Sequence, residues 1–137
     1  MAGDLDKALV VSASGLRAQS LRMRVIAENI ANQDSVAATP GGQPYRRKIV
    51  QFKSVLDRET GAKEVAVRRV TVDPGAFGRK YAPGHPAADA QGYVLTPNVN
   101  GLIESSDLRE AQRTYEANLS SIESAKQLAT RTIDLLR

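Results

Sequence analysis

The chain has 137 residues, enough for one modest domain or for a small domain carrying long helical arms. It has no cysteine, which excludes disulfides and thiolate metal sites, and only 4% aromatic residues with no tryptophan, so aliphatic helix-on-helix packing is expected to supply the core. The net charge of +4 is concentrated in the middle: residues 34–102 carry ten basic and six acidic side chains, and both ends are close to neutral. Because those charges are scattered rather than blocked, they read as a solvated strand face before they read as a binding surface.

No segment is long and apolar enough to span a bilayer, so no transmembrane segment is expected. The opening "MAGDLDKALVVSASG" has two early aspartates and no basic leader, which predicts export, if it occurs, without a cleavable signal.

Residues 1–33 read as one helix. Leu9, Leu16, Met23 and Ile30 recur every seven residues, and Leu5, Ser12, Gln19 and Ile26 interleave with them. Alternating steps of three and four are the spacing of a coiled-coil seam. Ser12 and Gln19 place polar groups in that seam, which costs stability and fixes register. Asp4 is the expected N-cap.

Between the arms the composition changes. "YRRKIVQF" (45–52) and "EVAVRRVTVD" (64–73) are rich in β-branched and charged residues and predict two strands joined by the turn "DRETGAKE". The alternation in the second changes phase at Arg68-Arg69, which predicts a bulge or an exit from the sheet there. "YAPGHPAADAQGY" reads as a loop, and "YVLTPNV" as a short last strand with Pro97 near an edge.

Residues 103–137 repeat the first design. Leu108, Tyr115, Ile122, Ala129 and Leu136 keep a seven-residue step, with Ala111, Asn118, Ala125 and Thr132 between them. Asp107 with Glu110 fits a capping pair, or else the helix begins a turn earlier. The fold class expected is therefore mainly α with a small β insertion: long N- and C-terminal helices paired as an antiparallel coiled coil, and a hairpin-rich middle. The domain organisation expected is 1–33 and 103–137 as an inner helical layer and 34–102 as linker and small β segment. A lone chain of this kind leaves apolar residues such as Leu21, Val25, Leu119 and Ile133 outside its seam, which favours self-assembly over a closed monomeric bundle.

Catalytic chemistry finds little support. His85 in "PGHP" has no second histidine or cysteine to complete a metal site, and no nucleophile motif accompanies it. "GAFGRK" lacks the spacing of a phosphate loop, and the sequon Asn118-Leu119-Ser120 lies in a predicted helix. No catalytic residue, metal or cofactor is expected. Arg46-Arg47-Lys48 and Arg68-Arg69 keep a basic nucleic-acid-binding module open as an alternative, alongside a plain coiled-coil adaptor. Asn29 and Asn32 read first as a frayed helix end, and second as amides that bond to neighbouring helices.

"AENIANQDSV" matches A-x-N-[IL]-A-N at Ala27, Asn29, Ile30, Ala31 and Asn32, with Glu28 where small or polar residues are common. With the later Pro44-Tyr45-Arg46, "PGHPAADAQGYVLTPNVN" and "AQRTYEANL", nearly the whole chain resembles the bacterial flagellar axial family of rod, hook and hook-associated proteins, at the short length of its proximal rod members. The resemblance implies a structural subunit of the basal-body rod, with a FlgB-like short rod protein as the nearest competing type. It implies assembly with further copies and with neighbouring rod proteins of the FlgB, FlgF and FliE types, to transmit torque across the periplasm. It also implies passage through the flagellar type III export apparatus, and no nucleic acid as partner. On this reading Leu5, Leu9, Leu16, Met23, Ile26 and Ile30 form the assembly face of the first helix. Leu108, Ala111, Tyr115, Asn118, Ile122, Ala125, Ala129 and Leu136 form that of the second.

Overall fold

The structure is a computed structural model that describes residues 2–137. Its elements run α1 (Ala2–Ala31), β1 (Lys48–Leu56), β2 (Lys63–Val72), β3 (Gly78–Tyr81), β4 (Tyr93–Thr96) and α2 (Gly101–Leu135). Two long terminal helices flank two small sheets, β1 with β2 and β3 with β4, as antiparallel strand pairs. No described helix is long and apolar enough to cross a membrane.

The residues divide into two compact units, one of Met1–Met23, Val50–Arg69 and Arg109–Arg137, the other of Arg24–Ile49 and Val70–Leu108. In the first unit the helices approach through small side chains. Ala18, Ala111 and Ala125 are buried, and Gly15 lies so near the Asn118 amide that a Cβ on it would sit 2.6 Å from Nδ2. Arg22 reaches Glu110 at 3.5 Å. Ser14 ties the hairpin to α1: its hydroxyl accepts the Val65 N–H at 3.1 Å and donates to the Val11 carbonyl at 2.7 Å. The β1–β2 turn closes as a glycine bulge. Gly61, at φ 74°, donates to the Asp57 carbonyl, while the Asp57 N–H donates to Ala62. The Asp57 carboxylate accepts the Glu59 N–H and the Thr60 hydroxyl, and these bonds hold its pKa below the ordinary value, the Glu59 bond first.

In the second unit β3 and β4 pair with Gly78 opposite Thr96 and Tyr81 opposite Tyr93. Val94 turns its side chain into the core, while Tyr81 and Tyr93 meet edge to face on the other side at 5.3 Å. The turn before β4 is held by Asp89, whose carboxylate accepts the N–H groups of Gln91 and Tyr93.

Several expectations are corrected. Asp4 is not an N-cap, since α1 is already helical from Ala2; its carboxylate lies in the first turn, where the helix dipole favours it. Asp107 and Glu110 do not cap α2, which starts at Gly101. Asn100 is the cap, its side-chain oxygen accepting the N–H groups of Leu102 and Ile103. The first strand starts at Lys48 rather than Tyr45 because Tyr45 and Arg46 are drawn into side-chain contacts instead of a ladder. β2 does not leave the sheet at Arg68-Arg69 but continues to Val72. Strand β3, with its glycine and two basic residues, carries no apolar alternation and was not anticipated.

Candidate functional site

The densest polar chemistry lies in the second unit, around Asn29. This residue is 1% exposed on the last turns of α1. Its Nδ2 donates to the Lys48 carbonyl at 2.9 Å and to Glu104 Oε2 at 3.3 Å. Its Oδ1 accepts the Tyr45 hydroxyl at 2.7 Å and the Lys48 N–H at 2.9 Å. Two donors and two lone pairs are the whole capacity of an amide, and all are used.

Glu104, on the first turns of α2, is 0% exposed. Its other oxygen accepts Arg47 Nε, and Arg47 also reaches Asp73 at 3.3 Å and Asp107 at 3.6 Å. Burial pulls the Arg47 pKa down, but the hydrogen bond and charge of Glu104, and then those of Asp73, outweigh it and leave the pKa raised. The Arg47 N–H donates to Asn98 Oδ1 at 2.7 Å, and Asn98 Nδ2 donates to the Asp73 carbonyl at 3.1 Å. Burial, then the charge of Glu28, raises the Tyr45 pKa, so its hydroxyl keeps the proton it donates to Asn29. A buried carboxylate with a bonded guanidinium and amide is a structural pin, because removing any partner strands a charge out of water.

The basic triplet is consumed inside this unit. Arg46 donates to the carbonyls of Asp73 and Gly75 at 2.8 and 2.9 Å and lies 4.1 Å over the Phe77 ring. Arg47 is held as described, and Lys48 pairs with Glu28, whose hydrogen bond raises the lysine pKa. Nucleic-acid recognition needs such groups free to meet phosphates. Here each is already bonded within the chain, Lys48 to Glu28 although its side chain is 38% exposed.

Comparison with known proteins follows the same residues. The family model for the flagellar basal body rod FlgEFG protein C-terminal region matches residues 90–135, from the turn before β4 to the end of α2. The flagellar basal-body rod protein FlgC of Agrobacterium fabrum is 50% identical over 97% of this chain and 96% of its own length. That of Salmonella typhimurium is 39% identical over 91% and 92%, and that of Bacillus subtilis 37% over 93% and 95%. This chain belongs to the FlgC family. It is a structural subunit of the flagellar basal-body rod, and the FlgB-like, adaptor and nucleic-acid readings are not favoured.

The residues that carry the resemblance to the axial family can now be located. Asn29, Pro44, Tyr45 and Arg46 all lie in the second unit, with Asn29 and Pro44 buried, whereas Ala27 and Ala31 are exposed. Asn29 is therefore a tertiary pin, and the frayed-end reading fails for it. That reading suits Asn32, whose Nδ2 donates to the Glu28 carbonyl at 2.9 Å and whose Oδ1 accepts the Ser35 hydroxyl at 3.1 Å. On α1, Ile26 is buried and Leu5, Leu9, Leu16, Met23 and Ile30 are half-buried. On α2, Ala111 and Ala125 are buried, and Leu108, Tyr115, Asn118, Ile122 and Ala129 are half-buried. Leu136 lies one residue past the helix and is 83% exposed.

Sequence reasoning missed Glu104, Arg47, Asn98 and Asp73 as parts of one cluster. Glu28 did leave a signal, as an acidic residue where the motif tolerates small ones; its partner Lys48 lies twenty residues on in the sequence.

Proposed function

We propose that the chain is a non-enzymatic building block of the rod's inner layer, its two terminal helices pairing as an antiparallel coiled coil. The contacts within the first unit support this: Gly15 meets Asn118 while Arg22, further along α1, meets Glu110, earlier on α2. On α2 the heptad positions from Leu108 to Ala129 are less exposed than most of their neighbours, as a seam requires, whereas the buried face of α1 is broader and takes in Ser14, Gly15, Ala18 and Val25 beside the heptad residues Ser12, Gln19 and Ile26. Residues 1–33 and 103–137 are the helical layer, and residues 34–102 present the β segment to neighbours.

The observation that carries the reading is the likeness to FlgC relatives through both helices and the middle alike. Rod assembly then joins this chain to further copies and to neighbours of the FlgB, FlgF and FliE types, and the assembled interfaces pass torque across the periplasm. Export runs through the flagellar type III apparatus without a cleavable signal. Assembly has surface left to bury: Leu119, Leu128, Ile133 and Leu135 on α2 are exposed in the single chain. Each leucine or isoleucine covered contributes about 1.5–3 kcal/mol, so a few such residues per subunit suffice to drive association.

The test is Ile122→Asp or Leu16→Asp in a motile strain. The expected outcome is loss of swimming and of rods in isolated basal bodies, with secretion retained. Normal swimming with either variant incorporated would contradict the reading.

A further inference from the structure

We propose that the outer edge of β1 receives a strand from another rod component, an extended segment that carries acidic residues. This deepens, and rests on, the reading of the chain as an assembling subunit. At the two ends of β1 the Asp57 N–H donates to the Ala62 carbonyl, and the Arg47 carbonyl accepts the Asp73 N–H. Residues of an antiparallel strand alternate in the direction of their backbone groups, so the odd-numbered residues of β1 point theirs at β2. Lys48 shows the other side. Its N–H and its carbonyl both bond to the Asn29 amide, which stands in for a neighbouring strand at the start of β1. Val50, Phe52, Ser54 and Leu56 share that outward direction, and no described residue bonds to their outward backbone groups. The opposite edge of the hairpin is already engaged, since the Val65 N–H on β2 donates to the Ser14 hydroxyl.

An open edge is a template for pairing, and folded proteins usually blunt it with proline, short length or several charges. β1 is 9 residues long, has no proline, and beyond the paired Lys48 carries only Lys53 as a charge. Phe52, Val55 and Leu56 are exposed along it. A third strand would satisfy the backbone and lay side chains against those residues, as strand addition does elsewhere. Charge selects the occupant. β1 has no acidic residue, and across residues 50–69 five basic side chains stand against three acidic ones, of which Asp57 is taken up by the turn. The same strand of a second copy would bring another Lys53 to this edge, and like charges across a ladder destabilise it. A segment with a carboxylate near Lys53 gains instead.

Proline at Ser54 tests the edge, because it removes an outward N–H and leaves the β1–β2 ladder whole. In a motile strain Ser54→Pro is expected to be secreted, and the purified subunit to keep its melting temperature, while incorporation into rods falls on the order of tenfold or more. Ser54→Ala, which keeps the N–H, is expected to incorporate normally. Lys53→Glu is expected to lose more incorporation than Lys53→Gln. Hydrogen exchange on wild type decides alone if Ser54→Pro does not fold: amides 52 and 54 are expected to exchange freely in the subunit and slowly in isolated basal bodies. Normal incorporation of Ser54→Pro, or equal exchange of those amides in both states, would overturn the proposal. A disulfide between two Ser54→Cys copies in basal bodies would seat the same strand of a second copy there, and would overturn the acidic occupant. Rods undisturbed by Leu16→Asp and Ile122→Asp would instead count against the assembly reading itself.

Discussion

Asn29 sits in a motif of small and amide residues, Ala-Glu-Asn-Ile-Ala-Asn, where a helix end would be satisfied by almost any polar side chain. Its position instead demands an amide. Alanine would leave the Lys48 N–H and Tyr45 hydroxyl without an acceptor and remove one donor from the buried Glu104 carboxylate. Each stranded group costs about 1–3 kcal/mol, so Asn29→Ala is expected to destabilise the chain by about 3 kcal/mol, read as a lower urea midpoint at unchanged slope. Asn29→Asp is expected to be at least as damaging, since it sets a second carboxylate against Glu104 and removes both donors. Asn32, partly exposed and bonded within its own turn, is expected to tolerate alanine at a cost near 1 kcal/mol, a contrast the same titration reads. The motif asparagines were legible as a pair, but their unequal roles were not. The difference comes from Tyr45, Lys48 and Glu104, which chain folding brings in from elsewhere.

The helices were recognised from their seven-residue steps, and the structure adds how closely they approach. Gly15 on α1 lies under the Asn118 amide with no room for a methyl group. Alanine there raises helix propensity by about 1 kcal/mol, but the displaced Asn118 side chain is expected to reverse the gain by about 1–3 kcal/mol. Gly15→Ala should therefore lower the melting temperature, and adding Asn118→Ala should restore it, so the double-mutant cycle gives a positive coupling. Simple additivity of the two changes would mean that the helices do not approach at this level. The strands were less legible. β1 and β2 are apolar enough to show alternation, whereas β3 exists through its pairing with β4 and through Asp89 closing the turn between them.

At the scale of the whole molecule, large apolar side chains such as Leu102, Leu135 and Leu136 remain mostly in solvent. Leu136 follows the last helical residue and is largely in solvent. Leu136→Ser is therefore expected to change the unfolding free energy of the isolated subunit by less than about 0.5 kcal/mol. In the proposed rod the same change removes a buried contact from every copy, so reduced incorporation and slower swimming are expected beside an unaltered melting curve. Equal loss in both measurements would move Leu136 from the assembly face to the subunit's own fold. This separation of effects distinguishes a residue kept for neighbours from one kept for the core.

The sequence by itself determined the two helices, the β-rich middle, the β1–β2 turn and the family, because heptad spacing, β-branched runs, turn residues and a short ordered motif are all local signals. Only the tertiary structure decided that Arg47 and Asn98 join the buried Asn29 and Glu104 in one cluster, and that each side chain of the Arg46-Arg47-Lys48 triplet is bonded within the chain. An ion pair between residues 57 positions apart leaves no periodic trace in either neighbourhood. Its members look like ordinary surface charges until the chain is closed around them and water is removed.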